Sequence, residues 1–147
     1  MIWKWNNVPI PPQDLVGLAL GGILQFLFPL MLIANPLVGD ILGWLLIAIG
    51  SGIVVWSVKE AGQIDIESPT RLLVSGPYSL SRNPMYVGWT LIYLGIAFVL
   101  NSVWITALLP LVIAVTHFVD VPKKERSMRE QFGDEYLEYQ RRVRRYL

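Results

Sequence analysis

At 147 residues the chain is one domain, with no room for a separate soluble module. Its 54% apolar content against 16% charged residues departs from ordinary globular usage and points to a membrane protein. The absence of cysteine excludes disulfides, zinc–thiolate sites and a cysteine nucleophile.

The start, Met1-Ile2-Trp3-Lys4-Trp5, lacks the short apolar run and small-residue cleavage site of a signal peptide, so the first apolar segment is expected to be retained. Residues 15–34 form an apolar run interrupted only by Gln25, and residues 37–58 form a second with Asp40 near its outer end. Residues 85–100 and 103–119 form a third and fourth, joined by Asn101-Ser102 as a tight helical hairpin. At about 1.5 Å per residue these runs reach roughly 24–33 Å, close to the ~30 Å hydrocarbon thickness. The predicted fold class is all-α, a bundle of four transmembrane helices followed by a cytosolic amphipathic helical tail.

Four spans place the N-terminus, the connection 59–83 and the tail from Asp120 on one side. That side carries Lys4, Lys59, Arg71, Arg82 and the basic residues from Lys123 to Arg145, and the opposite loops carry none. Short loops obey the positive-inside rule, so both termini are predicted to be cytoplasmic in a multi-pass integral membrane protein. The formal net charge of +1 hides this segregation and says little about partners; the lipid bilayer is expected, and nucleic acid is not. The four-residue spacing of Gly17/Gly21 and Gly39/Gly43 allows close helix packing, within the bundle or in a homodimer.

Asp120-Val121-Pro122 reads as a helix start with Asp120 as its cap. Met128, Phe132, Tyr136, Tyr139, Val143 and Tyr146 then recur at three- and four-residue steps as one apolar stripe. Gly133-Asp134 is expected to divide the tail into two short helices. The tail either lies on the membrane surface or forms the floor of a cytosolic pocket, and the pattern fits both.

The spans contain no Lys, Arg or Glu, which lowers the case for an ion-coupled transporter. His117, at the cytoplasmic end of the fourth span, is an interfacial residue or, with Asp120 one turn on, an acid–base pair. The long connection 59–83 exceeds the usual length of a structureless loop, and its Ile64, Ile66, Leu72, Leu73 and Val74 argue against disorder. Asn83-Pro84 reads as a cap followed by Pro at the first helical position. Such a helix start offers free N–H groups to a carboxylate or phosphate, and Arg82 strengthens the attraction. Tyr78 and Tyr86 flank the point with faces suited to an adenine or a sulfonium. The residues alone therefore define an anion-binding pocket at a membrane surface.

The pattern Gly76-Pro77-Tyr78-x-x-x-Arg82-Asn83-Pro84-Met85-Tyr86-x-Gly88, an apolar hairpin, then Glu125-x-x-Met128-x-x-x-Phe132-Gly133-x-x-Tyr136-x-x-Tyr139-x-x-x-Val143 resembles the isoprenylcysteine carboxyl methyltransferase and phospholipid methyltransferase superfamily. The match runs from about Lys59 to the C-terminus. The resemblance implies an integral-membrane enzyme that uses S-adenosylmethionine, with cofactor-site elements over 59–84 and 120–147 and a lipophilic substrate entering between helices. It implies that Leu73, Tyr78, Asn83, Pro84, Tyr86 and Glu125 line the cofactor pocket, to which the anion-site argument adds Arg82; no metal is implied. Three departures stand out. Asn83 replaces a frequent His, Lys124 replaces the first member of a frequent Glu-Glu pair, and residues 119–122 carry no Arg, which argues against a prenylcysteine substrate.

A carboxylate or thiolate acceptor needs no base, whereas an amine or hydroxyl must lose a proton, the role open to His117 and Asp120. The expected function is methyl transfer to a small lipophilic or membrane-dissolved acceptor by a monomer or homodimer. Two other readings are an NADPH-dependent membrane reductase of the sterol-reductase type, with a similar Arg-His-Pro-x-Tyr element, and a non-enzymatic four-span scaffold.

Overall fold

A computed structural model describes residues 8, 10–62, 64–66 and 69–147. Lys4 and the start at 1–7 lie outside the described residues. Among the described residues the chain is all-helical, with α1 (Pro12–Leu27), α2 (Pro36–Ala61), α3 (Pro84–Val99), α4 (Val103–Val115) and α5 (Val121–Arg142). A 3-10 turn spans Gly76–Ser79, a π turn over Thr116–Asp120 joins α4 to α5, and Met31 pairs with Ser102 in an isolated bridge.

The first apolar run is not one helix to residue 34. α1 ends at Leu27, because Pro29 has no amide to continue the ladder and its ring disfavours a helical Phe28, whose φ is −135°. Residues 28–35 instead fold against the loop between α3 and α4. Leu32 N–H donates to Asn101 O at 3.2 Å and Val103 N–H to Leu30 O at 3.2 Å. Asn101, at a positive φ of 48°, holds Ile33 from both ends: its Oδ1 accepts the Ile33 amide at 2.8 Å and its Nδ2 donates to the Ile33 carbonyl at 2.9 Å. Hydropathy counts residues 28–34 as membrane because it is blind to proline's missing donor.

α2 begins at Pro36, capped by the Asn35 side chain, and runs to Ala61, three residues beyond the predicted span. α2 and the continuous α4–α5 are long and apolar enough to cross a bilayer, and α3 is a shorter apolar helix. Large apolar side chains such as Phe26, Trp44 and Leu111 stand exposed along the outer faces, an arrangement suited to hydrocarbon.

Helix pairing follows the glycines. α2 lies antiparallel along α3 on a seam of small residues: a Cβ at Gly43 would stand 2.7 Å from the Gly95 carbonyl, and one at Gly50 2.6 Å from the Gly88 carbonyl. α1 packs on α4, where a Cβ at Gly17 would meet Val112 and Tyr93, and one at Gly21 would meet the Ile105 backbone at 2.8 Å. The glycine pairs picked out by spacing therefore serve contacts inside the bundle. Dispersion between closely set backbones drives such packing where water is absent.

The tail does not start afresh at Asp120. That residue is helical (φ −72°, ψ −49°), makes no capping bond, and sits within the π turn. Pro122 lacks the amide that an α-turn would direct to Phe118 O, and the wider π turn carries the chain past this gap. Gly133 (φ 52°, ψ −124°) does bend α5 into two segments. The stripe Met128, Tyr136 and Tyr139 is buried with Phe132 and Val143 against Leu72 of the connection, so it builds a small core between tail and connection.

Candidate functional site

The site lies where the connection, the start of α3, α5 and the extended residues 143–147 meet. Gly76, at φ 57°, opens the 3-10 turn that buries Tyr78. The Tyr78 carbonyl accepts the Tyr139 hydroxyl at 2.5 Å, tying the turn to α5. Ser75 donates to Glu60, which anchors the same turn to the end of α2. Burial pushes the Tyr78 phenol well above its usual range, helped by Tyr139 and Glu60; burial likewise raises Tyr139 and, with Glu125 adding, Tyr136. All three rings are held neutral.

Asn83 precedes α3 without capping it. Its amide N–H donates to Ser81 Oγ at 3.1 Å, and its side-chain Nδ2 donates to the Arg145 carbonyl at 3.1 Å. The side chain predicted to cap the helix is thus turned toward the C-terminal residues, and Pro84 alone fills the first-turn role. Arg82 N–H donates to the Arg144 carbonyl at 3.0 Å.

Glu125 is 6% exposed and is met from two sides. Arg145 Nε and Nη2 donate to its two oxygens at 3.1 and 2.7 Å, a bidentate pair. Arg82 Nη1 stands 2.8 Å from Glu125 Oε1 as an ion pair without hydrogen-bond angles. Bonding to Glu125 raises the Arg145 pKa above its usual value. Among the described residues, Tyr78 Oη, Arg82 Nε and Arg82 Nη1 are buried with no hydrogen-bond partner.

A cavity of about 40 Å³ is lined by Leu73, Tyr78, Arg82, Asn83 and Glu125 together with Tyr136 and Tyr139. Five of the residues predicted for a cofactor pocket thus converge on one point. Ile66, Lys124 and Met128 form a wall shared with a second cavity of about 390 Å³, lined also by Met85, Tyr86, Trp89 and Asp120. Tyr86 faces this larger space, and the Lys124 ammonium lies 6.0 Å from its ring centre. Pro84 is buried behind Asn83 and lines neither cavity.

His117 and Asp120 do not pair. His117 Nδ1 lies 3.1 Å from the Tyr146 hydroxyl, whereas Asp120 accepts from Gln13 Nε2 at 2.5 Å. A π turn has more residues per turn than an α-helix, so positions three apart diverge where α spacing would stack them. The residues that sequence reading missed are Arg145 and Ser81. Arg145 is one of several arginines near the end of the chain, and no periodicity singles it out.

A family model described as phospholipid methyltransferase matches residues 38–135, and the chain belongs to that family. It is also similar to the cobalt-zinc-cadmium resistance protein CzcN of Cupriavidus metallidurans, 38% identical over 72 residues. That match covers 49% of this chain and 33% of the relative, so the chain spans about a third of that protein's length. No solved structure matches the chain.

Proposed function

We propose that the chain is a four-span enzyme, with both termini cytoplasmic, that transfers a methyl group from S-adenosylmethionine to a lipophilic acceptor dissolved in the membrane. The observation that carries this reading is the convergence of Leu73, Tyr78, Arg82, Asn83 and Glu125 on one cavity in a phospholipid methyltransferase family member. The donor set fits the cofactor. The Arg82 guanidinium, whose Nε and Nη1 make no hydrogen bond, suits its carboxylate, the Glu125 carboxylate suits its ammonium or ribose hydroxyls, and the tyrosine rings suit its adenine.

When bound, the cofactor supplies an electrophilic methyl group on a sulfonium. The protein's part is to position and to exclude water. Arg82 and Asn83 would hold the anionic end, Glu125 would accept from the cationic or hydroxyl end, and Leu73, Ile66 and Met128 would keep the site dry. The adjoining cavity, with Trp89, Met85 and Tyr86, suits the acceptor. Asp120 is the carboxylate on its wall and would take the proton from an amine or hydroxyl acceptor; a carboxylate or thiolate acceptor would not need it. His117, engaged with Tyr146, has no part in this scheme. Because the glycine faces are consumed inside the bundle, a monomer is the better-supported state.

Purified protein in detergent should bind labelled S-adenosylmethionine in preference to NADPH and should methylate a component of a lipid extract. Binding of NADPH alone would support the reductase instead, and binding of neither would favour a scaffold.

A further inference from the structure

The cavity at the cofactor residues, about 40 Å³, has room for a few water molecules, whereas sites for molecules of cofactor size run to roughly 300 Å³ or more. Something must move for a cofactor to enter, and the contacts point to residues 143–147. Val143 leaves α5 in an extended conformation (φ −119°, ψ 133°), and the chain then crosses the start of α3.

Its bonds run to the site itself. The Arg144 carbonyl takes the Arg82 amide, and the Arg145 carbonyl takes the Asn83 side chain at 3.1 Å and Ser81 Oγ at 3.4 Å. The Arg145 guanidinium covers both Glu125 oxygens. A carbonyl oxygen therefore occupies the Asn83 donor while a cation occupies the Glu125 acceptors. That is the charge pattern of an amino-acid end, a carboxylate beside an ammonium. Past Val143 the segment has little buried apolar surface: Arg144 and Leu147 are exposed, and Arg145 keeps a third of its side-chain surface in solvent. Its remaining anchor is the Tyr146 hydroxyl on His117.

We propose that residues 143–147 are an internal latch that mimics the amino-acid moiety of the cofactor, holds Arg82, Asn83 and Glu125 when no cofactor is bound, and is displaced when it binds. This rests on the cofactor site proposed above. Arg145 is the competing cation, and Tyr146 sets how firmly the latch is held.

The full chain in nanodiscs, titrated with S-adenosylhomocysteine, tests this. The amide hydrogens of 143–147 should exchange faster with deuterium in the saturated protein than in the free one. Arg145→Ala should bind S-adenosylhomocysteine about tenfold tighter, the size of one charge-assisted contact released. Tyr146→Phe, which leaves every site residue in place, should bind about threefold tighter. Slower exchange of 143–147 on binding, or weaker binding by both variants, would make the segment a closing lid and overturn the latch alone. No binding by wild type and both variants would overturn the methyltransferase reading and the latch with it.

Discussion

Replacing Arg82 by alanine separates an anion-binding role from a structural one, and the geometry sets the expected sizes. Arg82 keeps 11% of its side-chain surface, and its Nε and Nη1 have no hydrogen-bond partner. A guanidinium so desolvated is costly unless something else engages it, and a ligand carboxylate would do so. Removing one member of a buried ion pair normally costs about 3–5 kcal/mol because the other charge is stranded. Here Glu125 would not be stranded, since Arg145 still donates to both of its oxygens. The loss of stability should therefore stay under about 1.5 kcal/mol, the size of an ordinary contact. Cofactor affinity should fall at least about tenfold, near 1.4 kcal/mol, for one charge-assisted hydrogen bond. Isothermal titration of S-adenosylhomocysteine into detergent-purified Arg82→Ala, alongside a thermal melt of the same sample, measures both. Wild-type affinity in a well-folded variant would sink the anion site and leave Arg82 as a positive-inside anchor only.

Glu125→Ala should be worse on both counts, losing about 3 kcal/mol of stability because two guanidiniums then face each other, and Glu125→Gln should recover part of it; chemical denaturation of the two variants checks the order. Gly43→Ala should destabilise the α2–α3 pair by about 1–3 kcal/mol, since the added Cβ would lie 2.7 Å from the Gly95 carbonyl and 2.9 Å from the Val99 amide. Gly22→Ala, with nothing within 4 Å, should be neutral or stabilise by up to about 1 kcal/mol, and equal melts for the two variants would refute the seam. Cysteines at exposed Ala34 and Ser79 should label from opposite faces of a sealed vesicle; labelling from one face would overturn the four-span topology. Tyr78, Tyr136 and Tyr139 have folded pKa values above the ordinary 10.0, so the stability they confer is complete below that pH and is lost as pH rises beyond it. Unfolding and phenolate absorbance should therefore rise together in an alkaline titration, and phenolate signal from all six tyrosines near pH 10 with the fold intact would contradict this.

The helices that sequence reading placed best are those whose ends carry chemical punctuation. Asn35-Pro36 and Ser102-Val103 open α2 and α4 with side-chain caps, and Gly133 bends the tail where its φ requires glycine. The stripe from Met128 to Val143 was legible because three- and four-residue steps put one face inward. Hydropathy extended α1 too far, since an average over twenty residues does not register the amide that Pro29 lacks. That Glu125 joins Tyr78 and Arg82 at one cavity, across more than forty positions, was legible only through the motif, whereas Tyr78, Arg82 and Asn83 stood out from their own chemistry. Asp120 misled for a local reason: acid-x-Pro spelled a helix start, and the chain ran through it as a π turn. Arg145 was invisible because its partner is distant in sequence and its neighbours carry the same charge.

The pairing of α1 with α4 has a consequence for how the protein is made. α2 and α3 can seat their glycines as soon as α3 emerges. Gly17 and Gly21, however, complete their packing only against Val112 and Ile105 of α4, which are synthesised after α2 and α3. At roughly 5–20 residues per second, and in the four-span topology proposed above, α1 waits on the order of seconds in the bilayer before its partner is synthesised. During that interval its glycine stripe faces lipid. The newborn chain is then most open to capture by another helix or by an insertion chaperone, and a ribosome stalled before α4 would leave α1 without its main partner.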